Sequence, residues 1–329
     1  MRLHATRGAS PGSAGVSPAL PAGRGLAYAL LGFAMAAWGG SFVAARMLLA
    51  PADARDVALA PIPLAALRFT IAAILFVPPI AVRRWRGRPS AAVPPRPLDR
   101  GDLLRLAALG QLGITLYFWL QYTGVRLTNA GVASILVVGL IPIATGLAAR
   151  ARLGEALGRA QIPALAFGLA GVAAQRGSGL ALGFSPGFAA GAVCLVVDAA
   201  CFAVYSTLIR DLRARYDALT LTAGVTATGA AGLLVLTTLT GGWREVARLS
   251  GTQWLAVAYL ALVCSVLAYL SYNRALATLE AGRAAAWVYL EPPIALLLGA
   301  WLLGERVSPA SLLGGALIAA AVALASRRR

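Results

Sequence analysis

The sequence predicts an all-α integral membrane protein, with ten transmembrane helices arranged as two inverted five-helix repeats. Three observations carry this. Hydrophobic residues make up 59% of the chain and charged residues only 12%, against about 25% charge in soluble domains. Ten apolar runs are long enough to cross a bilayer. Finally, Leu153-Gly154-Glu155 returns 150 positions later as Leu303-Gly304-Glu305, and the same ungapped offset sets Tyr122 on Tyr272, Thr128 on Thr278, Pro142 on Pro292 and Leu147 on Leu297. A fixed offset of this kind marks a duplicated unit.

The runs lie near 26–49, 62–82, 103–123, 130–149, 160–176, 187–209, 218–240, 253–272, 284–303 and 309–326. They are continuously apolar rather than alternating, which predicts helices and not a barrel. Residues 1–24, rich in Ala, Gly, Pro and Ser, read as a disordered cytoplasmic tail. The Arg/Pro stretch at 83–101 reads as a cytoplasmic loop, and 177–186 as the linker between a first repeat, 25–176, and a second, 187–326. Five spans per repeat is an odd number, so the second repeat enters the membrane from the opposite side.

The net charge of +17 is carried wholly by arginine. With the N-terminus in the cytoplasm, 21 arginines fall on the inner side, among them Arg83, Arg84, Arg150, Arg152, Arg210 and Arg213, against 6 outside. That is the bias of cytoplasmic loops, and it places both termini in the cytoplasm. No aromatic-rich basic face lies outside the runs, so no nucleic-acid partner is expected. The expected surroundings are lipid, with a small-molecule substrate; monomer and homodimer both stay open. Cys194, Cys201 and Cys264 fall inside predicted spans without metal spacing, and His4 is the sole histidine. No metal or cofactor is expected.

Chemistry is predicted where the apolar runs are interrupted. Pro142 and Pro292 sit near the middle of spans four and nine, with Pro293 beside the latter. Proline lacks the helical N–H, so the carbonyls of Val138, Val288 and Tyr289 lose partners, and matched breaks at mid-depth predict a cavity between the halves. Four ionisable groups lie within spans: Arg46, Arg68, Asp198 and Glu291. A charge at a helix centre costs roughly 2.5–3.5 kcal/mol, so each should face the interior. Asp198 shares a helical face with Cys194, Cys201, Phe202 and Tyr205. Two readings stay open for the acids: a proton relay or contact with a substrate ammonium, and ion pairs with Arg46 or Arg68. Trp38, Phe42, Tyr122, Tyr269 and Tyr289 complete the candidate substrate contacts, and Gly187 with Gly191 is a candidate close-packing pair.

These residues resemble the drug/metabolite transporter superfamily, EamA type. Ala37-Trp38-Gly39-Gly40-Ser41-Phe42 followed by Arg46 is similar to the family's opening motif, with Arg where Lys is common. Ala66-Leu67-Arg68-Phe69 resembles its second-span motif, Tyr289-Leu290-Glu291-Pro292 the motif of its second repeat, and Gly304-Glu305-Arg306 its close. Asp198 departs from the pattern, where an apolar or aromatic residue is usual. The resemblance covers about residues 25–326 and implies ten helices in two inverted repeats around a central pocket. It implies transport of small metabolites, amino acids or drug-like compounds, frequently as export, across a bacterial-type inner membrane. The alternatives are an integral-membrane enzyme, for which the spans offer no histidine, and a receptor or scaffold, for which there is no soluble sensor domain.

Overall fold

The computed structural model of the chain describes residues 24–85, 99–153, 186–276 and 287–305, with isolated positions at 279, 307, 309, 312, 313 and 316. Predicted span five, most of span ten, the linker 177–185 and tail residues 1–23 lie outside the described residues. So do the side chains of Arg83, Arg84 and Pro142.

Among the described residues the regular elements are all helical, with no strand. Seven helices among the described residues are long and apolar enough to span a membrane: Gly25–Leu49, Pro61–Val82, Arg100–Leu127, Ala130–Arg152, Pro186–Arg213, Ala218–Leu239 and Gly251–Ala275. These correspond to predicted spans one to four and six to eight, and the shorter apolar stretch Val288–Leu303 to span nine.

Local chemistry sets several boundaries. Span three starts three residues earlier than its apolar run because Asp99 caps it, its carboxylate accepting the Asp102 N–H at 2.7 Å. Asp217 caps span seven in the same way, accepting from Thr220 N–H at 3.0 Å. Ser250 and Gln253 form a capping box at the start of span eight. Span nine ends at Gly304, whose φ of 63° is the left-handed conformation that glycine adopts without a Cβ clash.

Span nine departs from the expectation of a single helix with prolines at its middle. A 3-10 turn, Val288–Leu290, leads into an α-helix that starts at Glu291. Pro292 falls in its first turn, where a missing N–H costs nothing. Span four, by contrast, stays helical from Ala130 to Leu153 through Pro142, so no matched interruption of the helix occurs there.

The matched irregularity lies elsewhere. Span three winds as a π-helix over Gln111–Leu116, and span eight over Tyr259–Leu267. Adding the 150-residue offset to the first gives 261–266, inside the second. Each such segment shifts the hydrogen-bond ladder and exposes carbonyls to other partners, a feature frequent at functional sites.

Packing is paired across the molecule. Span one lies against spans eight and nine, and span six against spans three and four. Span two packs on span eight, span seven on span three, and spans two and seven on each other. Every contact of one half among these has its counterpart in the other. Small residues make the closest approaches: a Cβ on Gly110 would lie 2.8 Å from the Gly229 nitrogen and 2.9 Å from the Val225 oxygen. Gly191 packs against Gly124 of span three, where a Cβ would meet the Gly124 carbonyl at 3.3 Å. With lipid on the outside there is no hydrophobic drive between helices, so such contacts supply the association.

Candidate functional site at mid-depth

The Trp38-Gly39-Gly40 segment binds span one to spans eight and nine. The Trp38 indole N–H donates to the Cys264 carbonyl at 3.0 Å, an oxygen within the π segment of span eight. Its ring lies 5.3 Å from both Tyr269 and Tyr272. A Cβ on Gly39 would stand 2.9 Å from the Glu291 carbonyl oxygen, and only glycine permits that approach. Gly40 lies under Tyr259, whose hydroxyl donates to the Ala37 carbonyl at 3.1 Å. Trp38 thus faces the interior, not lipid, while Phe42 is buried in the core one turn on.

Arg68 is 4% exposed. Its Nε donates to Ser265 Oγ at 2.8 Å and its Nη1 to Tyr122 Oη at 2.9 Å, while the guanidinium lies 5.0 and 4.9 Å from the Phe69 and Phe118 ring centres. These aromatic faces attract a cation, but both hydrogen-bond partners are neutral hydroxyls. The expected alternative, an ion pair with Asp198 or Glu291, is not formed among the described residues.

Arg46 also departs from the intramembrane role expected of it. It sits at the end of span one, where Nη1 donates to the Val125 and Arg126 carbonyls at 3.0 and 2.5 Å, closing the C-terminus of span three. Its Nε lies 3.8 Å from Glu305, whose carboxylate accepts the Ala130 N–H at 3.1 Å. Arg46 and Glu305 therefore tie the ends of spans one, three and nine to the start of span four. The 50–60 loop is fixed at the same end of the bundle. Ala60 N–H donates to Glu245 at 2.6 Å, Gln253 Nε2 to the Val57 carbonyl at 2.7 Å, and Ser250 Oγ to Asp56 at 2.9 Å.

A cleft of about 390 Å³ opens among spans three, four and six, lined by Leu109, Leu112 and Leu208 and rimmed by Arg105, Arg152 and Asp211. Arg152 pairs with Asp211 at 3.0 Å, both side chains partly exposed. Nearby, buried Asp102 accepts from Tyr216 at 2.9 Å and pairs with Arg215 at 3.2 Å.

Asp198 and Glu291 are buried at 0% and 7% exposure. Neither oxygen of Asp198 has a hydrogen-bond partner. The Gln121 amide, which donates to the Tyr117 hydroxyl at 3.0 Å, is also a polar neighbour of Asp198. Tyr117 lies within electrostatic reach of Asp198, Glu291 and Tyr269, and Glu291 within reach of Tyr269, Tyr272, Tyr289 and Cys264. The two acids thus flank one layer of phenols. Tyr205 packs its ring on Gly113 of the span-three π segment. Of the predicted contacts, Trp38, Tyr269 and Glu291 come together; Tyr122 joins them through Arg68 and Ser265, and Asp198 and Tyr205 line the span-three side. Tyr289 is half-buried near Glu291. Sequence reasoning gave no role to Gln121 or Ser265, and counted Tyr117 only among the span-three aromatics. The signal was present in Thr115 and Ser265, which are polar, inside apolar runs and 150 positions apart.

A bundle of apolar helices enclosing a buried polar layer, tied at one end and cleft at the other, has the build of a multispanning membrane transporter. The chain belongs to the EamA-like transporter family, whose model matches residues 25–174 and again 189–327. It is 28% identical over 305 residues to an uncharacterized transporter of Archaeoglobus fulgidus, covering 92% of this chain and 98% of that one. It is 30% identical over 291 residues to a probable terminal-alkyne amino-acid exporter of Streptantibioticus cattleyicolor, covering 88% and 90%. A crystal structure aligns over 93% of this chain and all of its own with a TM-score of 0.60 at 23% identity, a likeness of fold.

Proposed function

We propose that the chain exports small amphipathic metabolites, amino acids or drug-like compounds, by alternating access around a mid-depth site. In this reading ten helices form two inverted five-helix repeats, 25–176 and 187–326, in a bacterial-type inner membrane with both termini cytoplasmic. The paired packing and the matched π segments support the repeat, and the arginine asymmetry supports the orientation.

The observation that carries the proposal is uncompensated charge. Arg68, Asp198 and Glu291 are all buried, and among the described residues none has an opposite charge within 4.0 Å. Charges inside a membrane bundle ordinarily pair or mark a substrate or ion path. An amino acid supplies both missing partners, its carboxylate for the Arg68 fork and its ammonium for Glu291. Its side chain would lie against Trp38, Tyr269 and Tyr272, with Tyr122, Tyr205 and Tyr289 as further walls and Phe42 behind them. The amino-acid name of the Streptantibioticus relative favours the same substrate class and the outward direction. In this reading, the ties at the 50–60 end would close that side of the site in one of the two states that alternating access requires. Pro142 removes one N–H from the ladder of span four, and the 3-10 turn before Pro292 and Pro293 is where span nine would flex.

Counterflow in proteoliposomes tests this, with a panel of aliphatic, aromatic and alkyne-bearing amino acids beside cationic drugs. At least one amino acid should exchange well above protein-free vesicles. Glu291→Gln should lower that exchange about tenfold or more, since hydrogen bonds to charged groups contribute roughly 1.5–3 kcal/mol. No exchange of any panel compound by folded protein would contradict the proposal.

A further inference from the structure

The cleft among spans three, four and six lies at the arginine-rich end and stands apart from the mid-depth layer. Its described lining takes nothing from spans one, two, eight or nine. Packing explains why it opens. Span six meets span three through Gly191 on Gly124 and through the Tyr205 ring on Gly113. One turn nearer the end, Gly110 of span three faces span seven instead and packs on Gly229. Span three therefore leans from span six toward span seven and leaves about 390 Å³ between them. That is the scale of small-ligand sites.

The cleft is graded along the helices. Arg105, Arg152 and Asp211 form its rim near the helix ends. Leu109 and Leu112 lie roughly 6 and 10 Å deeper than Arg105 along span three, and Leu208 lies nearly one turn deeper than Asp211. Charge above leucine matches a lipid headgroup and the first part of an acyl chain, with the remainder running into the bilayer. The sign of the charge selects the lipid. Two arginines against one carboxylate leave one positive charge on the rim. Arg152 gives Asp211 one of its five N–H groups, at 3.0 Å. Arg105 lies 3.6 Å from Asp102, a carboxylate already held by Tyr216 and Arg215. Both guanidiniums are partly exposed, and an arginine fork suits a phosphate. A zwitterionic headgroup brings its own cation and would leave the rim charge unbalanced. Basic clefts between helices take acidic headgroups on the same grounds.

We infer that this cleft binds one phospholipid of net negative charge, its phosphate on Arg105 and Arg152 and an acyl chain along Leu109, Leu112 and Leu208. Spans three and four lie before the 177–186 linker and span six after it, so one lipid bridges the two parts of the chain. The site does not depend on what the protein transports.

Native mass spectrometry of the full chain tests this. The protein is stripped of lipid in detergent and titrated with phosphatidylglycerol or with phosphatidylcholine of the same acyl chains. One phosphatidylglycerol should be retained in preference to phosphatidylcholine. Each arginine removed should weaken it about fivefold, so Arg105→Gln with Arg152→Gln should weaken it about 25-fold and abolish the preference. Ala108→Phe fills the cleft from an exposed position on its wall and keeps both arginines. It should also lose the first lipid, and it carries the test if the double variant does not fold. Arg244→Gln with Arg248→Gln, exposed at the other end, should change nothing. Glycerol phosphate, which has the phosphate without the chains, should not displace the lipid at equal concentration. Four results would each overturn the inference. They are equal retention of the two lipids, undiminished binding by either folded cleft variant, equal loss in the Arg244 and Arg248 pair, and displacement by glycerol phosphate, which would mark a site for free phosphate only.

Discussion

Arg68→Met should leave a folded protein that no longer transports. The guanidinium is buried against Phe69 and Phe118 and, among the described residues, donates to the hydroxyls of Tyr122 and Ser265. A methionine side chain fills similar space among aromatic rings and removes a charge that costs roughly 2.5–3.5 kcal/mol to hold in a bundle. Ser265 keeps another partner, since its Oγ already donates to the Leu260 carbonyl at 3.0 Å. Stability in detergent should therefore change little or rise. Exchange should fall at least about tenfold, because a charge-assisted contact to substrate contributes roughly 1.5–3 kcal/mol. Arg68→Lys should not restore it, as lysine lacks the fork that holds two hydroxyls and still presents a donor pair. Thermal stability and counterflow, measured on the same preparations, distinguish this from a purely structural arginine, whose loss would lower both.

Trp38→Ala should have the largest effect on stability. The half-buried indole fills the space between span one and Tyr269 and Tyr272, and truncating a tryptophan to alanine costs up to about 3–5 kcal/mol when burial is complete. It also strands the Cys264 carbonyl in a π segment that has already given up regular α-helical bonding. Trp38→Phe keeps most of the volume and removes only the N–H, so it isolates the hydrogen bond. Its cost should be about 1–3 kcal/mol, that of an unsatisfied buried acceptor. Denaturation in detergent, followed by loss of the monodisperse elution peak, ranks the three proteins. An order of wild type, Trp38→Phe and Trp38→Ala is expected; equal stability of wild type and Trp38→Phe would remove the π-segment contact from the account.

Hydropathy made the helices legible, because lipid imposes long uninterrupted apolar runs that no soluble fold needs. The interior was legible in kind but not in pairing. Arg68, Asp198 and Glu291 stood out as costly charges, yet the sequence offered an Arg–Asp pair where the structure has Arg68 on two hydroxyls and Arg46 closing a helix end beside Glu305. Spacing along one helix carries no information about which helix lies opposite. The prolines misled in a similar way. Pro142 and Pro292 share the repeat offset, but the local outcome depends on where each helix starts. One lies within span four and the other in the first turn of span nine. The π segments left no such trace, since a one-residue change in bonding pattern has no compositional mark.

The central claim is that the two ends of the bundle open in turn around the mid-depth layer. Paired spin labels report it most directly, one pair at Asp53 and Arg248 on the tied end and one at Leu104 and Arg213 on the arginine-rich end. All four are exposed, and the native Cys194, Cys201 and Cys264 would be replaced by alanine. With an amino acid that exchanges in counterflow, the Asp53–Arg248 distance distribution should gain a longer component while the Leu104–Arg213 distribution gains a shorter one. Distributions that stay fixed at both ends while exchange continues would contradict alternating access in this protein.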